Sequence, residues 1–183
     1  MSDGYGPDHV SFRPMSVLPL SELPNALPPR SRLLGLDLGA KTIGLAISDP
    51  GRAVASPIET IRRGKRFADD AKALLAVIDG RSVGGLVVGL PVNMDGSEGP
   101  RCQSVRAFAD NLLKIRDLPI AFWDERLSTA AVNRFLIDEA DMTRKRRSQV
   151  IDKMAAAYIL QGALDAMRGS AQVAFPSPLT EEG

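Results

Sequence analysis

Two short, almost uninterrupted apolar runs restrict this 183-residue chain more than any other feature: Arg32-Leu33-Leu34-Gly35-Leu36-Asp37-Leu38 and Gly85-Leu86-Val87-Val88-Gly89-Leu90. A strand that alternates apolar and polar side chains keeps one face in water, whereas a continuously apolar strand must be covered on both. Each run ends at a breaker, Gly39 after the first and Pro91 after the second. The chain therefore calls for a sheet with helices on its faces.

The segments around the runs supply both. Residues 43–48 predict a second strand, joined to the first by the tight Gly39-Ala40-Lys41-Thr42 turn of an antiparallel hairpin. Residues 53–61 predict a third, after Pro50-Gly51. Phe67, Ala71, Leu74, Leu75 and Ile78 share one helical face that stops at Gly80, and Val105, Phe108, Ala109 and Leu112 share another. Residues 119–123 predict a short strand. Ser128 is placed to cap a helix carrying Val132, Phe135 and Leu136 inward, and a final helix over 148–168 is expected to close at Gly169. The result is an α/β fold with a mixed five-stranded sheet and helices on its faces, an order that several topologies share.

Six of the 13 prolines lie within residues 1–31, at positions 7, 14, 19, 24, 28 and 29, so this segment predicts a proline-rich, mostly extended and flexible N-terminal arm. Residues 170–183, with Pro176, Pro178 and Glu181-Glu182, predict a C-terminal tail. The folded domain is expected over 32–169. No run approaches the ~20 apolar residues that span a bilayer, and Asp3 and Asp8 stand where a signal peptide needs positive charge. A cytoplasmic protein without membrane contact is expected.

Chemistry is narrowed by what is scarce. One cysteine, Cys102, and one histidine, His9, rule out an internal disulfide and cannot furnish a zinc site. Any catalytic metal must be held by oxygen, which points to magnesium or manganese. A net charge of +1 provides no global attraction for nucleic acid, so such binding needs local patches.

Three places carry acids that packing alone does not call for. Asp37 interrupts an apolar strand, where an uncompensated carboxylate is expensive; ordering the turn at Gly39 is the plainer alternative. Asp124-Glu125-Arg126 ends another apolar strand, where ligands collect in open α/β sheets, although charge clusters at strand ends are common. Asp152 precedes Ala155, Ala156 and Ile159 by three, four and seven residues, which puts it on the sheet-facing side of the last helix. A helix-dipole role there is worth only ~0.3–1 kcal/mol. Carboxylates from strand, strand end and helix suit one or two divalent cations acting on a phosphodiester. Alternation allows one of Asp124 and Glu125 to join Asp37, without saying which.

Two basic runs could meet a phosphate backbone: Arg62-Arg63-Gly64-Lys65-Arg66, and Arg144-Lys145-Arg146-Arg147 just before the last helix. Trp123 and Tyr158 could stack on bases, although a core role suits both.

Four ordered motifs resemble the YqgF/RuvX family. They are Gly35-Leu36-Asp37-Leu38-Gly39 with Gly44-Leu45-Ala46-Ile47-Ser48-Asp49; Val88-Gly89-Leu90-Pro91-Val92-Asn93-Met94-Asp95-Gly96-Ser97; Asp124-Glu125-Arg126-Leu127-Ser128-Thr129; and Asp152 with Ala155-Ala156 and Ile159-Leu160-Gln161. The resemblance spans about residues 33–167 and implies an RNase H-like fold. It implies a metal-dependent nuclease using Mg2+ or Mn2+, with Asp37, Glu125 and Asp152 as catalytic and metal-binding residues. Lys41, Asn93, Arg126, Arg144, Lys145, Arg146 and Arg147 are the expected nucleic-acid contacts. Lys41 stands where many members have arginine; lysine keeps the charge but loses the bidentate fork.

The substrate implied is structured RNA, namely the precursor of 16S rRNA during ribosome biogenesis, in preference to Holliday junction DNA. A two-fold junction would favour a dimer, so monomer and homodimer both stand. A non-catalytic RNA-binding factor on the same fold is the reading from another class. A phosphate-binding ATPase fragment is a third, suggested by Asp37-Leu38-Gly39 followed by Lys41-Thr42 and Gly44. Such proteins need two domains, and this chain has room for one.

Overall fold

A computed structural model describes residues 17–128 and 144–173, with side chains over 17–128 and 151–170. The helix expected after Ser128 lies outside the described residues. The elements are α1 (Leu23–Ala26), β1 (Arg32–Leu38), β2 (Thr42–Ser48), β3 (Ala55–Arg62), α2 (Phe67–Gly80), β4 (Val83–Leu90), α3 (Pro100–Ile115), β5 (Ile120–Asp124), a 3-10 turn (Glu125–Leu127) and α4 (Arg144–Val173).

The strands form one mixed sheet in the order β3-β2-β1-β4-β5. β1, β2 and β3 are an antiparallel meander, whereas β4 and β5 run parallel to β1. β4 is buried along its whole length, as its continuous apolar sequence requires. Period-two alternation divides the sheet between two cores. Leu34 and Leu36 of β1 and Leu86 and Val88 of β4 pack with α2 and α3. Leu33, Val87 of β4 and Ala121 of β5 face the opposite side, where Ala156, Ile159, Leu160 and Leu164 of α4 cover them.

Three glycines on that second side decide how close α4 comes. A Cβ at Gly35 would stand 2.7 Å from Leu160 Cβ, one at Gly44 only 2.1 Å from the Asp152 carbonyl oxygen, and one at Gly89 2.5 Å from Ile159 Cδ1. The helix backbone thus lies almost on the strands at the end of the sheet where Asp37 sits.

Two expectations need correction. Residues 17–31 are not a free arm: Leu18 donates to the Ile120 carbonyl at 2.7 Å and bridges to Ala121, and Leu23 is wholly buried beside Leu20 and Leu27 in the α4-side core. Leucines spaced between the prolines bury apolar surface that extended polar chain would lack. The last helix also exceeds 148–168, running from Arg144 to Val173. Glycine closes a helix by adopting positive φ, and among the described glycines only Gly96 does so, at 86°. No described helix is long and apolar enough to cross a membrane.

Candidate active site

Asp37 is the penultimate residue of β1 and lies opposite Gly44 of β2. By alternation it shares the face of Leu33 and Gly35, so it points to the side covered by α4. Burial pushes its carboxyl up to about 7, and the negative charges of Glu125 and Asp152 push in the same direction; the Arg101 guanidinium opposes them. Three acids placed far apart in the sequence therefore share one electrostatic environment at the carboxyl ends of the parallel strands, where sheets of this kind hold their ligands.

Glu125 follows β5 directly and opens the 3-10 turn. Its side chain lies over Gly89 of β4, with Oε1 2.7 Å from where a Cβ would be. Burial raises its carboxyl above the ordinary value, Arg101 lowers it, and the neighbouring Asp124 raises it. Asp124 is committed elsewhere. It accepts from the Arg126 backbone N–H at 3.0 Å and from the guanidinium of the same residue at 2.6 Å, and so caps the turn. That pair holds the Asp124 carboxyl below its usual range. Of the two adjacent acids, Glu125 is the one beside Asp37.

Asp152 is fixed from the sheet: the Thr42 hydroxyl donates to its Oδ2 at 2.7 Å. Gly44, two residues further along β2, leaves the space its carbonyl occupies.

The expected nucleic-acid contacts divide. Asn93 and Arg126 line a groove of ≈ 450 Å³ together with Glu125 and Arg101. Asn93 is oriented by its amide donating to Ser97 Oγ at 3.0 Å, inside a turn whose bend needs Gly96 at positive φ. Exposed Lys41 lines a second, cationic groove with Arg62 and Arg63. The side chains of Arg144, Lys145, Arg146 and Arg147 lie outside the described residues, although their backbone forms the first turn of α4. Within the other basic run, Arg63 is structural. It bonds buried Asp70 at 3.0 Å and the Gly39 carbonyl at 3.0 Å, while Arg66 pairs with Asp69. Trp123 donates to Ser128 Oγ and packs on Gly162, which is a core role.

Arg101 escaped the sequence reading. It lies in the first turn of α3, which contains no acid. A cation there opposes the helix dipole, and that mismatch was the available signal that an anion must stand nearby.

Among the described residues, no three Asp, Glu, His or Cys side chains are gathered tightly enough to form a ready metal cage. The donor set nevertheless fits a hard cation. It is all oxygen, and the two acids that raise Asp37 leave a charge that a divalent ion would neutralise. Magnesium retains several waters and takes few protein carboxylates, so a complete cage is not required.

Comparison with known proteins agrees with this architecture. Residues 31–166 match the RuvX family, described as Holliday junction resolvase. A protein of Phenylobacterium zucineum, named as a candidate pre-16S rRNA nuclease, is 64% identical over 155 residues, covering 84% of this chain and 99% of that one. A Caulobacter vibrioides protein of the same name is 56% identical over 156 residues, covering 85% and 99%. Among solved structures, T. thermophilus RuvC in complex with Holliday junction substrate aligns with a TM-score of 0.50 at 14% identity, over 76% of this chain and 97% of that one, a likeness of fold. With the strand order above, the fold is RNase H-like. The family match over most of the chain and the close relatives together place it: this chain belongs to the RuvX family.

Proposed function

We propose that this protein is a metal-dependent nuclease that hydrolyses phosphodiester bonds in structured nucleic acid, with the precursor of 16S rRNA as substrate. The observation that carries the reading is the convergence of Glu125 and Asp152 on Asp37 at the carboxyl end of the sheet, opposed among the described residues by Arg101. A site with this excess of negative charge binds a phosphate only when a cation intervenes. Asp37, Glu125 and Asp152 would hold Mg2+ or Mn2+. When bound, such an ion neutralises phosphate charge and acidifies water.

The chain's own residues do the rest. Thr42 holds Asp152 in one orientation, and Gly89 gives Glu125 room to lie against the sheet. Asp124 keeps Arg126 on the rim of the groove that contains Glu125, where its remaining N–H groups can meet a phosphate oxygen. Lys41, Asn93 and the Arg144–Arg147 run are the further contacts in this reading.

The names borne by relatives 56–64% identical over nearly their full length favour the rRNA precursor. The family description favours a second reading, resolution of four-way junction DNA. The deciding experiment is magnesium- or manganese-dependent cleavage of precursor 16S rRNA and of a four-way DNA junction, by wild type and Asp37→Asn. Cleavage of the precursor by wild type, lost in a folded Asp37→Asn protein, is expected. Exclusive cleavage of the junction would replace the RNA reading with the second. Intact RNA binding with no cleavage would make the protein a non-catalytic RNA-binding factor.

A further inference from the structure

Beside the carboxylates, on the opposite face of the sheet, lies a groove of ≈ 530 Å³ that the nuclease reading leaves unused. Its wall begins at Leu38, the residue after Asp37, and continues through Phe67 and Phe108 to Ser104, Asn111 and Arg101. Phe67 and Phe108 meet edge to face, with centroids 5.2 Å apart at 79°. Arg63 closes one end with its guanidinium 5.9 Å from the Phe108 centroid, fixed there by Asp70 and the Gly39 carbonyl.

Continuity with its neighbours gives the groove a direction. Arg101 is shared with the groove that contains Glu125, Asn93 and Arg126, and Ala40 and Arg63 are shared with the cationic groove of Lys41 and Arg62. Three depressions thus form one track across the carboxyl end of the sheet. Cations stand along it, Asp37 and Glu125 lie near the first junction, and a mainly apolar recess lies in the middle, where half-buried Phe67 offers the accessible ring and Phe108 is buried under Arg63. A duplex presents its phosphates outward and keeps its bases stacked, so it would offer this recess nothing apolar. A single strand offers both an anionic backbone and a free base face, the combination that aromatic-lined basic grooves take.

We infer that the recess holds one unpaired base of the substrate strand, next to the phosphate that faces the carboxylates, with Arg101 gripping the backbone between them. This rests on the nuclease reading for the identity of the polymer. It adds that the chain selects an unpaired nucleotide at the cleavage point, which the motif residues do not address. Arg101 is here a substrate-binding residue, and Ser104 marks the open rim of the recess, exposed on α3.

Binding by a protein that cannot cleave keeps the test separate from the nuclease reading. Asp37→Asn is titrated with a fluorescent single-stranded oligonucleotide and with the blunt duplex of the same sequence, followed by anisotropy. The single strand is expected to bind about tenfold tighter or more, the scale of one base-aromatic stack. Adding Ser104→Trp, which fills the recess from its exposed rim, should abolish that preference and leave duplex binding unchanged. Gln103→Trp, exposed on the same helix but outside the recess, serves as the folding and bulk control and should retain the preference. Arg101→Ala should weaken the single strand and reduce the salt dependence of its binding. Equal affinity for strand and duplex, or an unaltered preference in the Ser104→Trp protein, overturns the inference. A wild type that cleaves nothing would overturn the nuclease reading without touching this binding result.

Discussion

The Thr42 hydroxyl donates to Asp152 Oδ2 at 2.7 Å, tying the first residue of β2 to the last helix across 110 positions of sequence. One bond thereby sets the orientation of an acid carried by a helix relative to an acid carried by the sheet. Thr42→Val keeps the β-branched shape and removes the donor. It is expected to lower kcat/KM about tenfold with stability reduced by about 1.5–3 kcal/mol, the range for a hydrogen bond to a charged group. Thr42→Ser should restore most of the activity. Steady-state cleavage and urea denaturation check both, and full activity in the valine protein would remove Thr42 from the site.

Gly44 tests the close approach of α4. A Cβ there meets the Asp152 carbonyl oxygen at 2.1 Å; the Cβ is fixed to the strand and the oxygen is helix backbone, so neither side yields cheaply. Gly44→Ala should destabilise the fold by about 3 kcal/mol or more and displace Asp152. Gly80→Ala, where nothing lies within 4 Å, is the control and should be close to neutral. Thermal unfolding of the two proteins decides it.

Asp37 makes stability depend on pH in a stated direction. Its carboxyl moves from 3.8 to about 7 on folding, chiefly through burial, so the folded state holds the proton more tightly than the unfolded chain. Its contribution is complete below 3.8 and is lost as pH rises through about 7. Asp37→Asn carries no such charge, so its stability advantage over wild type should grow between about pH 5 and about pH 8. Added Mg2+ should narrow that gap at the higher pH by stabilising wild type alone. Denaturation curves at both pH values, with and without the ion, measure it. A gap that shrinks as pH rises would contradict the assignment.

Adjacent acids should behave differently. Asp124 is held by Arg126, whereas Glu125 lies over Gly89 beside Asp37. Glu125→Gln is expected to reduce kcat about a hundredfold or more, on the scale of losing a positioned electrostatic group. Asp124→Asn should change kcat little and mainly raise KM, because Arg126 loses the partner that orients it. Equal losses in kcat for the two would show that the turn acts as a unit.

Arg101 offsets part of the negative charge around Asp37 and Glu125. Arg101→Gln should therefore raise the Asp37 titration further above its ordinary value, as followed by carboxyl NMR. Arg101→Lys should leave it near that of wild type, since a lysine keeps the charge though not the fork.

The kinds of element and the class of chemistry are legible along the chain. Continuous apolar runs at β1 and β4 and 3.6-residue spacing in α2 and α3 are local patterns, readable because burial imposes them residue by residue. The near absence of cysteine and histidine left oxygen as the donor for any metal, and Asp37 and Asp152 stood out as charges on faces that should be apolar. The assembled fold separates Asp124 from Glu125, which alternation along the strand left open: Glu125 rests on Gly89, 36 positions earlier in a neighbouring strand, and Asp124 is held by Arg126. It alone brought Arg101 to the acids, committed Arg63 to Asp70, and folded Leu18 and Leu23 onto the sheet out of a segment whose prolines predict an extended arm. Periodicity records which way a side chain faces along its own element. Which partner it meets is set by strand order and by the depth at which α4 lies on Gly35, Gly44 and Gly89, and those are properties of the assembled sheet.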